Sequence, residues 1–201
     1  MTSRQSQTPE DIMIKLTTNR LLIRDHIAED LEEHFALLAN QQTMKYLPEI
    51  WAETRAAAHQ NLLLSIEESK KHARTKYFFA IMLQATGKLI GSIGYTVTAT
   101  NGPEKLVNLG YFLGNAYWQY GYATEAAEKV IEFAFLTNHV VKIEAGCLAE
   151  NKASEKLMLK VGMTKEGELR NHQCHENAWK DRVVYGLMKQ EWEKRRSAQG
   201  R

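Results

Sequence analysis

A glycine-bearing turn set between a strand and a helix constrains this chain more than any other feature. Ala123, Ala126, Ala127, Val130, Ile131, Ala134 and Phe135 recur at i, i+3, i+4, i+7, i+8, i+11 and i+12, which places them on one face of a helix. Upstream, residues 106–113 read as a buried strand, and downstream residues 140–147 read as another. Strand, helix and strand in so short a span make a βαβ unit, with parallel strands and a right-handed crossover. The turn Trp118-Gln119-Tyr120-Gly121-Tyr122-Ala123-Thr124 then stands at the carboxyl end of the first strand, where open α/β sheets bind ligands. Gly121 and Ala123 are small enough for a ligand to reach the backbone, where the first helical N–H groups and the positive dipole end point outward. That combination predicts an anion site suited to phosphate, although an ordinary strand-to-helix connection would also use such a glycine. Neither G-x-G-x-x-G nor G-K-[ST] is present, so a dinucleotide fingerprint and a P-loop are both excluded. Gly110 inside the first strand marks a bulge or a close backbone approach.

The remaining chain supplies the partners of this unit. Arg20–Arg24 begins the sheet, and Leu31, Phe35, Leu38 and Ala39 follow at helical spacing in a segment ended by Pro48. A second helix is expected from near Thr54 to about Ala73, with Ala58, Leu62, Leu63 and Ile66 inward. Residues 77–83 and 89–97 are β-rich runs joined by Ala85-Thr86-Gly87-Lys88, a hairpin signal, and a third strand follows Asn101-Gly102-Pro103. The sheet should therefore be mixed, antiparallel first and parallel across the central helix. Asn151 suits an N-cap and Gly162 the C′ position of a further helix, on which Ser154, Leu157, Met158 and Val161 share a face. Two long strands, residues 164–171 and 179–188, close the domain around the loop 172–177.

Composition limits the alternatives. With 201 residues, 44% of them hydrophobic, the chain can bury the core of one domain but hardly of two. Residues 1–13 are expected to be a disordered lead, 14–192 a single domain and 193–201 a polar tail. The formal net charge is +2 and the basic residues form no long run, which does not point to a nucleic-acid groove. No apolar stretch approaches the length of a membrane span and no signal-peptide core is visible, so a cytoplasmic protein is expected. Cys147 and Cys174 form neither a disulfide framework nor a metal spacing. His172, Cys174 and His175 fall close together, but no fourth ligand is spaced to complete a tetrahedral zinc site, and a polar hairpin tip is expected instead.

Trp118-Gln119-Tyr120-Gly121-Tyr122-Ala123 resembles the acetyl-coenzyme A signature [QRW]-x-x-G-x-[GA] of the GNAT acetyltransferases. Gly110-Tyr111, Ala123-Thr124-Glu125-Ala126, Asn151 with Ser154, Glu166-Gly167, and Asp181-Arg182 with Tyr185 resemble, in order and spacing, the branch that includes the ribosomal-protein N-terminal acetyltransferases. The likeness runs from about residue 14 to residue 192. It implies a mixed α/β fold with a splayed sheet of about seven strands and helices on both faces, parted near residues 109 and 145. It implies acetyl-CoA as co-substrate, held by Leu109, Gly110, Tyr111, Trp118, Gln119, Tyr120, Gly121, Tyr122, Ala123, Thr124, Asn151 and Ser154, and no metal. On the acceptor side it implies Tyr46, Trp51, His172 and Tyr185.

The implied reaction is transfer of acetyl to a primary amine, foremost the N-terminal α-amine of a protein or peptide, a ribosomal protein being the family's example. A polyamine or aminoglycoside acetyltransferase and a catalytically silent acetyl-CoA-binding module are the alternatives. The oligomeric state stays open between monomer and dimer. Three departures from the family pattern bear on catalysis. Asn108 stands where a strand glutamate is common, Gln119 where a small residue follows the aromatic of the turn, and Met158 where a helix tyrosine commonly serves as the acid. Ser154 is then the candidate acid, and Asn108 and Glu166 the remaining candidates near the amine.

Overall fold

The computed structural model describes residues 13–198 and 200, so the expectation for residues 1–12 lies outside the described residues. The strands are β1 (Lys15–Thr17), β2 (Leu21–Asp25), β3 (Lys76–Leu83), β4 (Lys88–Asn101), β5 (Glu104–Leu113), β6 (Val140–Leu148), β7 (Thr164–His175) and β8 (Ala178–Met188). The α-helices are α1 (Leu31–Leu38), α2 (Arg55–Ser69), α3 (Tyr122–Thr137), α4 (Lys152–Lys160) and α5 (Lys189–Ala198). All eight strands form one sheet in the order β1-β2-β3-β4-β5-β6-β8-β7. Its ladders are antiparallel except for β5 with β6, the pair joined across α3.

Because side chains alternate along a strand, the sheet presents two different faces. On one, Phe79, Ile93, Val107, Leu109 and Ile143 meet the apolar stripe Ala126, Ala127, Val130, Ile131, Ala134 and Phe135 of α3. On the other, Ala80, Leu89 and Phe112 meet Leu37 of α1, and a separate cluster gathers Leu38, Met44, Ala52 and Ala58. The inward face of α2 differs from the expected one. Ala58, Leu62, Ser65 and Glu68 are buried there, not Leu63 and Ile66. Glu68 accepts from the Thr75 and Lys76 N–H groups and the Thr75 hydroxyl and pairs with Lys71, tying the end of α2 to the start of β3. Burial alone would raise its pKa, but those donors lower it to about 2.

Eight strands, where about seven were expected, reflect the three-residue β1 paired to β2, too short to announce itself by alternation. The segment expected as a polar tail is helical through Ala198. Trp192 of α5 is buried against Phe135, with ring centroids 5.3 Å apart, and Arg195 donates to the Lys160 carbonyl at 2.9 Å. That guanidinium satisfies a carbonyl at the end of α4, where Gly162 takes φ +94°.

Candidate active site

The site begins where the parallel ladder stops. β5 and β6 pair from Lys105 with Val140 to Asn108 with Glu144 and no further, although β5 continues to Leu113 and β6 to Leu148. Past that point β4 holds one strand and β8 the other, so the two diverge as a wedge with the β5 edge facing β6 unpaired. The splay lies where the resemblance implied. Gly110 stands on this edge, and no atom lies within 4 Å of where its side chain would project, which leaves open space beside the strand.

At the wide end of the wedge the chain turns into α3. Gln119 takes φ +66° and Gly121 φ +82°, and no side chain caps the helix. The uncapped first turn of the helix presents its N–H groups to an anion at the end of this left-handed entry. Glu125 locks this turn to the start of β2. It accepts from the Thr18 hydroxyl at 2.6 Å, the Arg20 N–H at 2.9 Å and the Arg20 guanidinium at 2.7 Å. Burial opposes its ionisation, but these donors lower its pKa. Arg20 also donates to the Tyr120 carbonyl and lies over the Tyr122 ring, 4.5 Å from its centroid. The turn is thus cross-braced to the start of β2, with the Arg20 charge balanced by Glu125. Trp118 and Tyr120 are exposed beside it.

Two hydroxyl groups meet across the wedge. The Tyr111 phenol of β5 and the Ser154 Oγ of α4 lie 2.8 Å apart. Asn151 caps α4 by accepting the Ser154 N–H at 3.1 Å, which fixes where that hydroxyl points from. Burial pushes the Tyr111 phenol up to about 12 and also raises the Cys147 thiol nearby. Met158 is buried and inert. The contact between the strand phenol and the α4 hydroxyl is invisible without the fold.

On the opposite face of the sheet a cavity of about 320 Å³ abuts the β5 edge at Gly110, Tyr111 and Phe112. Leu47, Ile50 and Phe78 give it apolar walls, and Glu49, Glu67 and Glu68 are met there by Lys71 and Lys76, charges that the sequence did not bring together. The α1–α2 loop, which supplies Leu47, Glu49 and Ile50 to the cavity, also meets the β7–β8 hairpin. Tyr46 stacks on His175 with ring centroids 5.8 Å apart. The hairpin reverses tightly through Glu176 and Asn177, both with positive φ, instead of through a six-residue loop.

The expected site residues do not all converge. Leu109, Gly110, Tyr111, Ser154, Asn151 and the turn from Trp118 to Thr124 frame the wedge. Asn108 is the last rung before it. Tyr185 is buried in the core and donates to Glu155 at 2.7 Å, so it braces α4 instead of lining the acceptor cavity. Trp51 and His172 are solvent-exposed and absent from the cavity wall, to which the neighbouring Ile50 contributes instead. Glu166 is held by Lys142 at 2.9 Å, and the same ammonium contacts Glu144 at 2.9 Å. Glu144 was not singled out from the sequence. Only strand register reveals that it is the cross-strand neighbour of Asn108 at the narrow end of the wedge.

The comparisons with known proteins agree with this geometry. A family model described as an acetyltransferase (GNAT) domain matches residues 20–164. The chain belongs to the GNAT acetyltransferase family. It is 30% identical to the uncharacterized N-acetyltransferase YnaD of Bacillus subtilis, over 88% of this chain and 98% of that one. It is 26% identical to the [ribosomal protein uS5]-alanine N-acetyltransferase of Escherichia coli, over 89% of this chain and 93% of that one. A solved structure of the microcin C7 self-immunity acetyltransferase MccE, in complex with acetyl-CoA and AMP, superposes with a TM-score of 0.73 at 17% identity, covering 90% of this chain and 97% of that one. This GNAT protein is an N-acetyltransferase, and acetyl-CoA is its co-substrate. No described helix is long and apolar enough to cross a membrane.

Proposed function

We propose that the acceptor of this GNAT enzyme is the α-amine of a protein or peptide N-terminus. The observation that carries the reading is the cavity abutting the unpaired β5 edge at Gly110 and Tyr111, so that an amine in the cavity faces a thioester in the wedge. In this reading the turn at residues 119–124 holds the pyrophosphate, the β5 edge carries the pantetheine arm, and acetyl-CoA supplies the acetyl group as a thioester. Backbone N–H groups near Leu109 to Tyr111 receive the developing oxyanion, a contact typically worth ~3 kcal/mol per donor. Tyr111 and Ser154 stand ready to protonate the departing thiolate.

Deprotonation chooses the amine. An α-amine of pKa ~7.7 to 8.0 is neutralised at pH 7 for about 1 kcal/mol, whereas a lysine of pKa ~10.4 needs about 4.6 kcal/mol. Asn108 is no base, so the carboxylate for this step is Glu144, placed beside it in register. A carboxylate tied to Lys142 suits the easier amine. The uS5-alanine acetyltransferase among the relatives supports the same acceptor class. A second reading, a small polyamine acceptor, draws on Glu49 and Glu67 at the cavity wall. Thiol release should be measured with peptides that share internal lysines but have free or blocked N-termini, and with a polyamine. Only the free peptide should react quickly. Equal rates for the blocked peptide, or a faster polyamine, would reject the α-amine.

A further inference from the structure

The strand side of the cavity forms its floor, where a chain of polar groups ends in one hydroxyl that is not fully buried. Ser92 of β4 is the cross-strand partner of Ala80 and Phe112, which lie on the face covered by α1, so its side chain stands on that face and lines the cavity. It is partly exposed, whereas His26 and His34 beyond it are almost fully buried. His26 Nε2 lies 3.3 Å from the Ser92 hydroxyl, which donates to the Phe79 carbonyl at 2.9 Å. On the other side of the ring, His26 Nδ1 lies 3.2 Å from the Asp30 carboxylate. Asp30 also accepts from both terminal guanidinium nitrogens of Arg24, at 2.9 and 2.6 Å, and from the Ile27 N–H at 3.0 Å. Burial would raise its pKa, but those donors hold it well below the ordinary carboxylate range.

The protonation states follow from the partners. An ionised Asp30 can only accept, so the His26 proton sits on Nδ1 and the Nε2 lone pair faces Ser92. The His26 ring packs edge-on to His34, with centroids 5.2 Å apart. Burial, reinforced by His26, lowers the His34 pKa to about 4, so this neighbour stays neutral. The charges against His26 are those of Asp30 and, through it, Arg24. The other charges of the cavity wall, Glu49, Glu67, Glu68, Lys71 and Lys76, come from the α1–α2 loop and from residues 67–76 at the end of α2 and the start of β3.

We propose that Ser92 and His26 form a proton relay that takes the proton released from the acceptor nitrogen as its bond to the acetyl carbon forms. The relay rests on the placing of the amine in the cavity, and not on which amine it is. Two deprotonations are needed at that nitrogen. In the proposed reaction Glu144 serves the first, which turns the arriving ammonium into an amine. Attack on the thioester then makes the nitrogen cationic again, and a second proton must leave before an amide results. Ser92 pairs with Phe112 and Gly94 with Gly110, so Ser92 and Gly110 are diagonal neighbours on one face, a separation of about 7–8 Å in a sheet. A nitrogen held between them can touch both the hydroxyl and a thioester beside Gly110. Its N–H bond breaks with the electron pair left on nitrogen, the proton passes to Ser92 Oγ, and the proton of Ser92 passes to His26 Nε2. The imidazolium so formed faces the Asp30 carboxylate and returns its proton through Ser92 to water once the product has left. The thiolate takes its own proton separately, from Tyr111 and Ser154. At 3.3 Å the contact between hydroxyl and imidazole is long, as catalytic contacts often are before the substrate arrives.

Single-turnover rates of acetyl transfer should be compared for the parent, Ser92→Ala and His26→Ala, with a free-N-terminus peptide or, should it react faster, the polyamine. A faster polyamine would reject the α-amine and leave this test intact. Each variant should lose about a hundredfold in rate, the scale of general base catalysis, with coenzyme A binding unchanged by calorimetry. Added imidazole should restore at least about tenfold of the rate to His26→Ala, and thiazole, of the same shape but far less basic, should not. Variants as fast as the parent would overturn the relay and leave the proton to Glu49 or Glu67 of the wall. Restoration by both additives, or by neither, would make His26 a packing residue and overturn it as well. If His26→Ala does not fold, heavy water decides. The parent rate should fall along a curve as heavy water replaces light, because two protons move together, and the curve should flatten in Ser92→Ala. A straight line in the parent, or a curve kept in the variant, ends the proposal.

Discussion

Gly121 allows the backbone strain and the ligand contact of the turn to be separated. Its φ is +82°, and a side-chain carbon added there would meet only Arg20 Nη2, at 3.6 Å, an ordinary contact. Gly121→Ala therefore introduces no clash, and its effect on stability is conformational, about 1–2 kcal/mol for an L-residue in left-handed geometry. For a domain of this size that is a loss of about 2–8 °C in Tm. Asparagine is larger but tolerates this region, so Gly121→Asn should unfold at a higher temperature than Gly121→Ala. Coenzyme binding should respond differently. Gly121→Val, with the most bulk beside the turn, should weaken coenzyme A at least severalfold by calorimetry, and Ala and Asn less so. Should Asn prove less stable than Ala, the strain account is wrong. Should Val bind coenzyme A as tightly as the parent, the pyrophosphate does not lie on this turn.

Three further outcomes follow from the same geometry. Ser154→Ala and Tyr111→Phe should each lower kcat about tenfold with little change in KM for acetyl-CoA, since an acid acts only as the thiolate leaves; unchanged kcat in both would reduce the pair to packing. Glu144→Gln should lower kcat/KM for a peptide α-amine at least about tenfold yet spare hydroxylamine, a nucleophile already neutral at pH 7; the charged groups beside Glu144 are Lys142 and, through it, Glu166, and equal loss with both acceptors would assign Glu144 a structural role. His34 has a folded pKa near 4 against 6.5 unfolded, so between those values the unfolded chain binds the extra proton and stability falls as pH falls. The loss is about 3 kcal/mol, and urea titrations at pH 7 and pH 4.5 should show most of it in the parent and not in His34→Phe.

What the sequence disclosed and what it hid divide along the reach of each interaction. The α3 stripe, the Gly121 turn and the Asn151 cap are local patterns, read from spacing because the helix period and the capping geometry are local. The parting of the strands near residues 109 and 145 came from the family likeness, and the ladder ends at Asn108 and Glu144. Glu144 itself stayed hidden, since only register sets it beside Asn108. The cavity floor was hidden for the same reason. His34 reads as one polar residue among the apolar positions of α1, and its partners Asn61 and His26 come from α2 and the end of β2. α5 was missed because it is polar all round except for Trp192, whose burial depends on Phe135 of α3. Tyr185 was put on the acceptor side by the family likeness, and only the fold shows it buried in the core and bonded to Glu155 of α4.

In the proposed reaction acetyl passes directly from the coenzyme to the amine, with no acyl-enzyme. Cys147 is the one thiol beside the wedge, and burial raises its pKa, which keeps it protonated and a poor nucleophile. Initial rates measured while acetyl-CoA and a free-N-terminus peptide are both varied test this most directly. Intersecting lines in the double-reciprocal plot are predicted, because both substrates must be present before the acetyl group moves. Parallel lines, with acetyl found on Cys147 in enzyme given acetyl-CoA alone, would contradict it.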